Sequence, residues 1–321
     1  MAGIVIFILA CFFALNMGAS SFAASFATAV GSKAVSKRRA QFLYIFFIVA
    51  GAVLFGNEVS KTLSKGLVPS ELISTKAVII ILFTGTLSLF VANIMHIPQS
   101  TSLSTIAAIC GVGAYYHEVA MGKINYLIIC WVISTIVSFV LIFSATRYVY
   151  PPRKRNFWVY EKVLHHQERL KVFIILTSCY NVFSQGSNNV PNVVGPLAAA
   201  GLIDTFAGLW FLGVIFSLGA YIFGGPLHTT SEKIVPLGLL TATIINFISG
   251  TITLIASILG IPQPAVIIYT MAVFAIGSIK NGPRVTLASS VTKKTFFTWC
   301  INPLITLLIS YVLSRIFLAQ S

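Results

Sequence analysis

The chain has 321 residues, of which 57% are hydrophobic and 9% charged. A soluble domain carries about 25% charged residues, so this composition cannot clothe a water-exposed surface, and a soluble enzyme, a nucleic-acid binder and a disordered chain are all excluded. The formal charge of +14 comes from 21 Lys and Arg against seven Asp and Glu; these basic residues sit in short clusters between apolar runs, the pattern of a multispanning membrane protein whose inner loops are positive.

About 20 apolar residues cross a bilayer as a helix, and ten apolar segments follow one another along the chain. The first, 4–31, is expected to break around Asn16–Ser21. Residues 1–24 lack the positive start of a signal peptide, so this segment reads as a retained membrane span. Segments 41–58 and 77–95 are clean. Segment 98–116 opens on the polar run Gln99-Ser100-Thr101-Ser102, and 124–147 is again clean. The only long hydrophilic stretch, 150–171, follows; it reads as a basic linker held by anionic headgroups, with His165 and His166 solvated. Segment 172–203 is expected to break over 184–191; 205–227 and 234–259 are clean, 262–279 starts on a proline, and 296–318 ends the series. The five cysteines fall singly in apolar context and read as small buried hydrophobes, with no metal site.

With each segment crossing once and both termini outside, 16 basic residues lie inside and five outside, which favours this orientation over its inverse. The reading is therefore a multi-pass protein of the cell membrane, with the lipid bilayer as its surroundings and no nucleic-acid partner. The sequence leaves a homodimer open.

The two sides of the linker repeat one another. Gly18–Ser25 corresponds to Gly186–Val193, and Gly56 and Thr62 to Gly224 and Thr230, all at an offset of 168. Ile97-Pro98-Gln99 returns as Ile261-Pro262-Gln263 at an offset of 164, as does Gly113 at Gly277, and Trp131 returns as Trp299 at 168. The units are thus 1–149, the linker 150–171, and 172–321. Five crossings per half is odd, so the second half is expected upside down relative to the first. The fold class is an all-α integral membrane protein of two inverted-topology repeats, with broken or re-entrant helices at the midplane.

That architecture points to a secondary transporter working by alternating access; an anion channel is the alternative of another class, distinguished by uncoupled flux without exchange. An enzyme is not expected, because no nucleophile, base or metal set comes together. The interruptions supply Ser20 and Ser21 from one half and Ser187, Asn188 and Asn189 from the other. Ser100, Thr101 and Ser102 face Gln263, Pro264 and Ala265. Pro98 and Pro262 suit the first turn of a helix, whose free N–H groups and positive dipole end attract an anion. The substrate-binding candidates are Ser20, Ser21, Ser100, Thr101, Ser102, Asn188 and Asn189. No aspartate lies in an interrupted motif. Sulfate at neutral pH carries no proton and suits an all-donor pocket, whereas phosphate needs an acceptor for its proton. Glu58, three residues from Lys61, is the candidate coupling carboxylate, with H⁺ favoured over Na⁺ and no cofactor.

These motifs resemble the inorganic phosphate transporter family, most closely its bacterial sulfate-permease branch. The family motif runs Gly-Ala-Asn-Asp-Val-Ala-Asn-Ala in each half. The second copy here, Gly186-Ser187-Asn188-Asn189-Val190-Pro191-Asn192-Val193, keeps that frame and the following Gly195-Pro196-Leu197; the first, Gly18-Ala19-Ser20-Ser21, keeps only its start. Pro98-Gln99-Ser100-Thr101-Ser102 is similar to the family's Pro-x-Ser-Thr-Thr/Ser stretch, and Lys280-Asn281-Gly282-Pro283 to the sulfate branch. The resemblance implies a central oxyanion site at the seven residues named above. It also implies that both family aspartates are replaced, by Ser21 and Asn189, so that the expected activity is proton-coupled sulfate uptake, with phosphate as the alternative oxyanion.

Overall fold

The computed structural model describes residues 2–95, 99–149, 154, 156–222 and 238–319. Among these there is no strand. Fourteen α-helices follow in order: α1 Ala2–Gly31, α2 Lys37–Phe55, α3 Asn57–Lys65, α4 Thr75–Ile94, α5 Thr101–Tyr116, α6 Met121–Val149 and α7 Phe157–His165; then α8 Gln167–Asn189, α9 Pro191–Ala199, α10 Thr205–Ile222, α11 Leu239–Ile258, α12 Ala265–Asn281, α13 Pro283–Ala288 and α14 Ser290–Phe317. Seven of them (α1, α2, α4, α6, α10, α11 and α14) are long and apolar enough to cross a membrane.

The ten apolar segments are therefore not ten equal crossings, and the helices that fit the expected broken or re-entrant kind are α5 and α12. Helices α5 and α12 have 16 and 17 residues, about 24–26 Å at 1.5 Å per residue, short of a hydrocarbon core of about 30 Å. Both are almost wholly buried along their first three turns, so they begin inside the protein, where protein rather than lipid surrounds their starts. The expected break at Asn16–Ser21 is also absent. Asn16 Nδ2 donates to Phe12 O at 2.8 Å and Ser20 Oγ to Met17 O at 3.0 Å, so these polar groups bond to their own helix and α1 runs through. In the second half the break narrows from eight residues to Val190, because Pro191 has no N–H to continue the ladder. Residues 157–165 and 167–171 of the supposed linker are helical, and Lys171 pairs with Glu168 at 2.6 Å. Gly224, Thr230, Ile97 and Pro98 lie outside the described residues.

The halves interlock reciprocally. A Cβ at Gly18 would lie 1.7 Å from Phe216 O, and one at Gly186 2.2 Å from Ile48 O. Likewise Gly51 would meet Phe183 O at 1.9 Å and Gly219 would meet Leu15 O at 2.2 Å. Each pair becomes the other when both numbers shift by 168 in opposite directions, the relation a two-fold axis between halves produces. Helix α1 packs on α10 as α2 packs on α8, and α5 packs on α14 as α12 packs on α6. Thus each short helix leans on the final helix of the other half: Ser310 Oγ donates to Ala108 O at 2.7 Å, and Trp131 Nε1 to Pro262 O at 2.8 Å.

Because the opposing atoms at Gly51 and Gly219 are backbone carbonyls, they cannot swing aside. Gly51→Ala and Gly219→Ala should each destabilise by about 1–3 kcal/mol, read as a lower midpoint of thermal unfolding in detergent. Equal unfolding midpoints for the variants and the parent would show that these crossings open without strain.

Candidate functional site

Four helix ends, one helix face and the turn before α12 converge in the interior. Ser21 comes from α1. Asn188 and Asn189 close α8, and Asn192 stands in the first turn of α9. Thr101 and Ser102 open α5, Ser257 lies near the end of α11, and Gln263 belongs to the turn before α12. All eight are at most 1–2% exposed, and polar groups buried to that degree have to find partners.

Their bonds join the halves. Asn189 Nδ2 donates to Ser21 Oγ at 3.3 Å, so the two residues related by the 168 offset touch. Thr101 Oγ1 donates to Asn189 Oδ1 at 3.3 Å. Asn192 Nδ2 donates to Thr101 Oγ1 at 3.3 Å and to Ser102 Oγ at 3.2 Å, and Ser102 Oγ donates to Gln263 O at 3.0 Å. Asn188 clamps the turn before α12: its Nδ2 donates to Ser257 Oγ and Ile261 O, both at 3.0 Å, and its Oδ1 accepts from Gln263 N at 2.7 Å. Ser187 Oγ adds a bond to Ser257 Oγ at 2.9 Å. Nearby, Tyr44 OH donates to Gly18 O at 2.7 Å.

Of the seven expected substrate-binding residues, Ser21, Thr101, Ser102, Asn188 and Asn189 are brought together. Ser20 is not: it is half-buried and bonds to its own helix. Ser100 is the N-cap of α5, its Oγ accepting from Leu103 N at 3.3 Å, as a serine before a helix does. The helix starts also differ from expectation. Pro262 precedes α12 rather than opening it, because Pro264 forces the residue before it out of the helical region and α12 begins at Ala265. Asn192, Ser257 and Gln263 join the cluster. Asn192 lay in the quoted motif; Ser257 carried no sequence signal, being one more serine in an apolar helix.

Glu58 sits apart. It opens α3 with its side chain half exposed and pairs with Lys61 at 2.6 Å. An exposed pair contributes little, and Glu58→Gln should leave anion uptake within about twofold of the parent. A tenfold loss would return this carboxylate to the transport cycle.

Among the described residues the cluster holds no Asp, Glu, Lys, Arg or His, and no group of three His, Cys, Asp or Glu gathers anywhere. Charge must therefore be met by dipoles: hydroxyls, carboxamide N–H groups, and the buried N-terminus of α5. Within the cluster Asn192 Oδ1 is buried without a partner, and so is Thr105 Oγ1 one turn along α5.

A neutral, donor-rich cluster thus lies buried where short helices meet inside a bundle of spanning helices, the arrangement of a membrane transporter. The phosphate transporter family model matches residues 17–310, and the chain belongs to that family. It is 34% identical over 309 residues to the sulfate permease CysP of Bacillus subtilis, covering 96% of this chain and 86% of that one. A putative phosphate permease of Thermococcus kodakarensis is 25% identical, with 94% of each chain covered. The fold matches that of a solved sodium-dependent phosphate transporter with a TM-score of 0.82 over 99% of both chains, at 24% identity.

Proposed function

We propose that this chain is a sulfate permease of the cell membrane, importing sulfate by alternating access between two inverted repeats, with both termini outside and protons as the coupling ion. The observation that carries the reading is the direct contact of Ser21 with Asn189 at 3.3 Å. These are the two positions where the family motif has aspartates. With neutral side chains there, a dianion meets donors and no fixed negative charge. The same neutrality removes the carboxylates that would hold Na⁺, which supports proton coupling. The 34% identical sulfate permease agrees with the substrate.

Phosphate is kept as a second reading by one observation, the unpartnered Asn192 Oδ1, an acceptor suited to the proton of a hydrogen phosphate. Radiolabelled sulfate uptake into proteoliposomes, with unlabelled sulfate or phosphate as competitor, decides between them. Saturable uptake that sulfate blocks and phosphate leaves untouched supports the sulfate reading; competition by phosphate alone overturns it. Driving the same uptake with an imposed pH gradient or a Na⁺ gradient tests the coupling ion, and stimulation by Na⁺ alone would reject protons.

A further inference from the structure

From the central cluster, a seam of carboxamides and hydroxyls continues toward one end of the bundle. On α8, Ser178, Asn181, Gln185 and Asn188 follow at spacings of three and four residues and so share one face. Helix α1 contributes Ser25, one turn beyond Ser21, and α11 contributes Asn246 and Ser249. All are at most 3% exposed. They bond to one another across three helices. Asn181 Nδ2 donates to Ser25 Oγ at 3.2 Å and Asn246 Oδ1 at 3.3 Å; Gln185 Nε2 donates to Ser25 Oγ at 2.9 Å. Asn246 Nδ2 donates to Ser178 Oγ at 3.0 Å and Ser25 O at 3.1 Å. Two buried oxygens on this seam, Gln185 Oε1 and Ser249 Oγ, have no partner. Buried amides without full satisfaction are costly in a membrane interior, so a static scaffold gives no reason for them.

The pseudo-equivalent positions of the other half are apolar. At the 168 offset, Ser178, Asn181 and Gln185 correspond to Ala10, Phe13 and Met17, and Ser25 to Val193. At the 164 offset, Asn246 and Ser249 correspond to Leu82 and Gly85. The element bounds give this register, because α4 (Thr75–Ile94) and α11 (Leu239–Ile258) are offset by 164 at both ends; Phe13 lies against Gly85 much as Asn181, one position out of that register, lies against Gly250. Phe13, Met17 and Leu82 are fully buried. Two-fold packing thus relates one polar seam and one dry plug, on opposite sides of the same site.

Resting on the transport reading above, we infer that the seam of Ser25, Ser178, Asn181, Gln185, Asn246 and Ser249 is the hydrated route by which the oxyanion passes between the central site and the end of the bundle where α8 begins, and that Ala10, Phe13, Met17 and Leu82 close the opposite route. The eleven steps from Ser178 to Asn189 span about 16 Å of helix, half the hydrocarbon thickness. The carboxamides exchange hydrogen bonds with a passing anion or its water, and the unpartnered oxygens accept from that water.

Accessibility to a small charged thiol reagent tests the route. In a background with Cys11, Cys110, Cys130, Cys179 and Cys300 replaced by alanine, Ser178→Cys and its counterpart Ala10→Cys are reacted with a methanethiosulfonate in nanodiscs, where both membrane faces are open. Ser178→Cys should react at least tenfold faster; equal rates, or the reverse order, overturn the inference. Ser249→Cys serves as the second probe if Ser178→Cys fails to fold. Asn181→Leu should lower sulfate uptake at least tenfold while equilibrium sulfate binding in nanodiscs changes less than threefold. Joint loss of binding and uptake would merge the seam with the central site, and retained uptake would remove it from the route. Should the parent chain show no sulfate uptake at all, the sulfate reading fails while the thiol comparison still judges the route.

Discussion

Asn189→Asp should lower sulfate uptake at least thirtyfold. At an effective dielectric of about 20, one negative charge roughly 5 Å from a dianion raises its energy by about 6–7 kcal/mol, and a third of that surviving relaxation is still about thirtyfold in binding. The substitution changes shape very little, and the introduced oxygens can still accept from Thr101 and Ser21, so the effect isolates charge. Asn189→Ser, which is neutral but shorter, should lose much less. Protonation of the introduced carboxyl removes the repulsion, so residual uptake by Asn189→Asp should rise as the pH falls. Uptake in proteoliposomes across a pH series measures both. Full activity of the aspartate variant at neutral pH would mean that position 189 does not face the substrate, and the argument from the lost carboxylates would fall with it.

That argument began in the sequence, and how far the sequence carried it differs from element to element. Composition alone defines a membrane protein, because nothing else accommodates so few charges. The duplication was legible in paired glycines, and Gly18 and Gly186 prove to be where backbones of the two halves touch. Five residues of the central cluster were legible because hydroxyls and carboxamides interrupt apolar runs. The interruptions were less informative about helix geometry. Ser, Thr and Asn satisfy themselves on the preceding turn as readily as they break a helix, which is why α1 passes unbroken through Asn16–Ser21. Proline was the better marker: Pro191 and Pro264 stand where helices do restart. The swap of α5 and α12 onto the opposite half's last helix left no trace in local pattern, since tertiary packing alone decides it. Ser257, Asn181 and Asn246 were invisible for the same reason. A polar residue within an apolar helix gains meaning only from the residue it faces.

Asn188 should be the residue whose loss most damages both fold and transport. Its side chain makes three bonds with both ends of one carboxamide, holding Ser257 at the end of α11, Ile261 O, and the N–H of Gln263 just before α12. The chain between α11 and α12 carries Gly260 at a positive φ of 68°; Leu259, Gly260 and Ile261 bond back to α11, but two prolines follow and Gln263 N finds its partner in Asn188. Asn188→Leu removes the acceptor for Gln263 N and the donor for Ile261 O and leaves both buried, at about 1–3 kcal/mol each. Stability should fall by about 3–5 kcal/mol, with uptake undetectable. Asn188→Asp separates the roles: it keeps an acceptor for Gln263 N and loses the donors, so it should unfold at a temperature between the parent and Asn188→Leu. It places a charge beside the anion site, so uptake should be lost in a protein that still folds. Thermal unfolding in detergent and uptake in proteoliposomes, measured on the same preparations, separate the two effects. If Asn188→Leu matched the parent in stability, the turn before α12 would be held by its prolines and by the bonds from Ser102 and Trp131, and Asn188 would be left with a role in the anion site only.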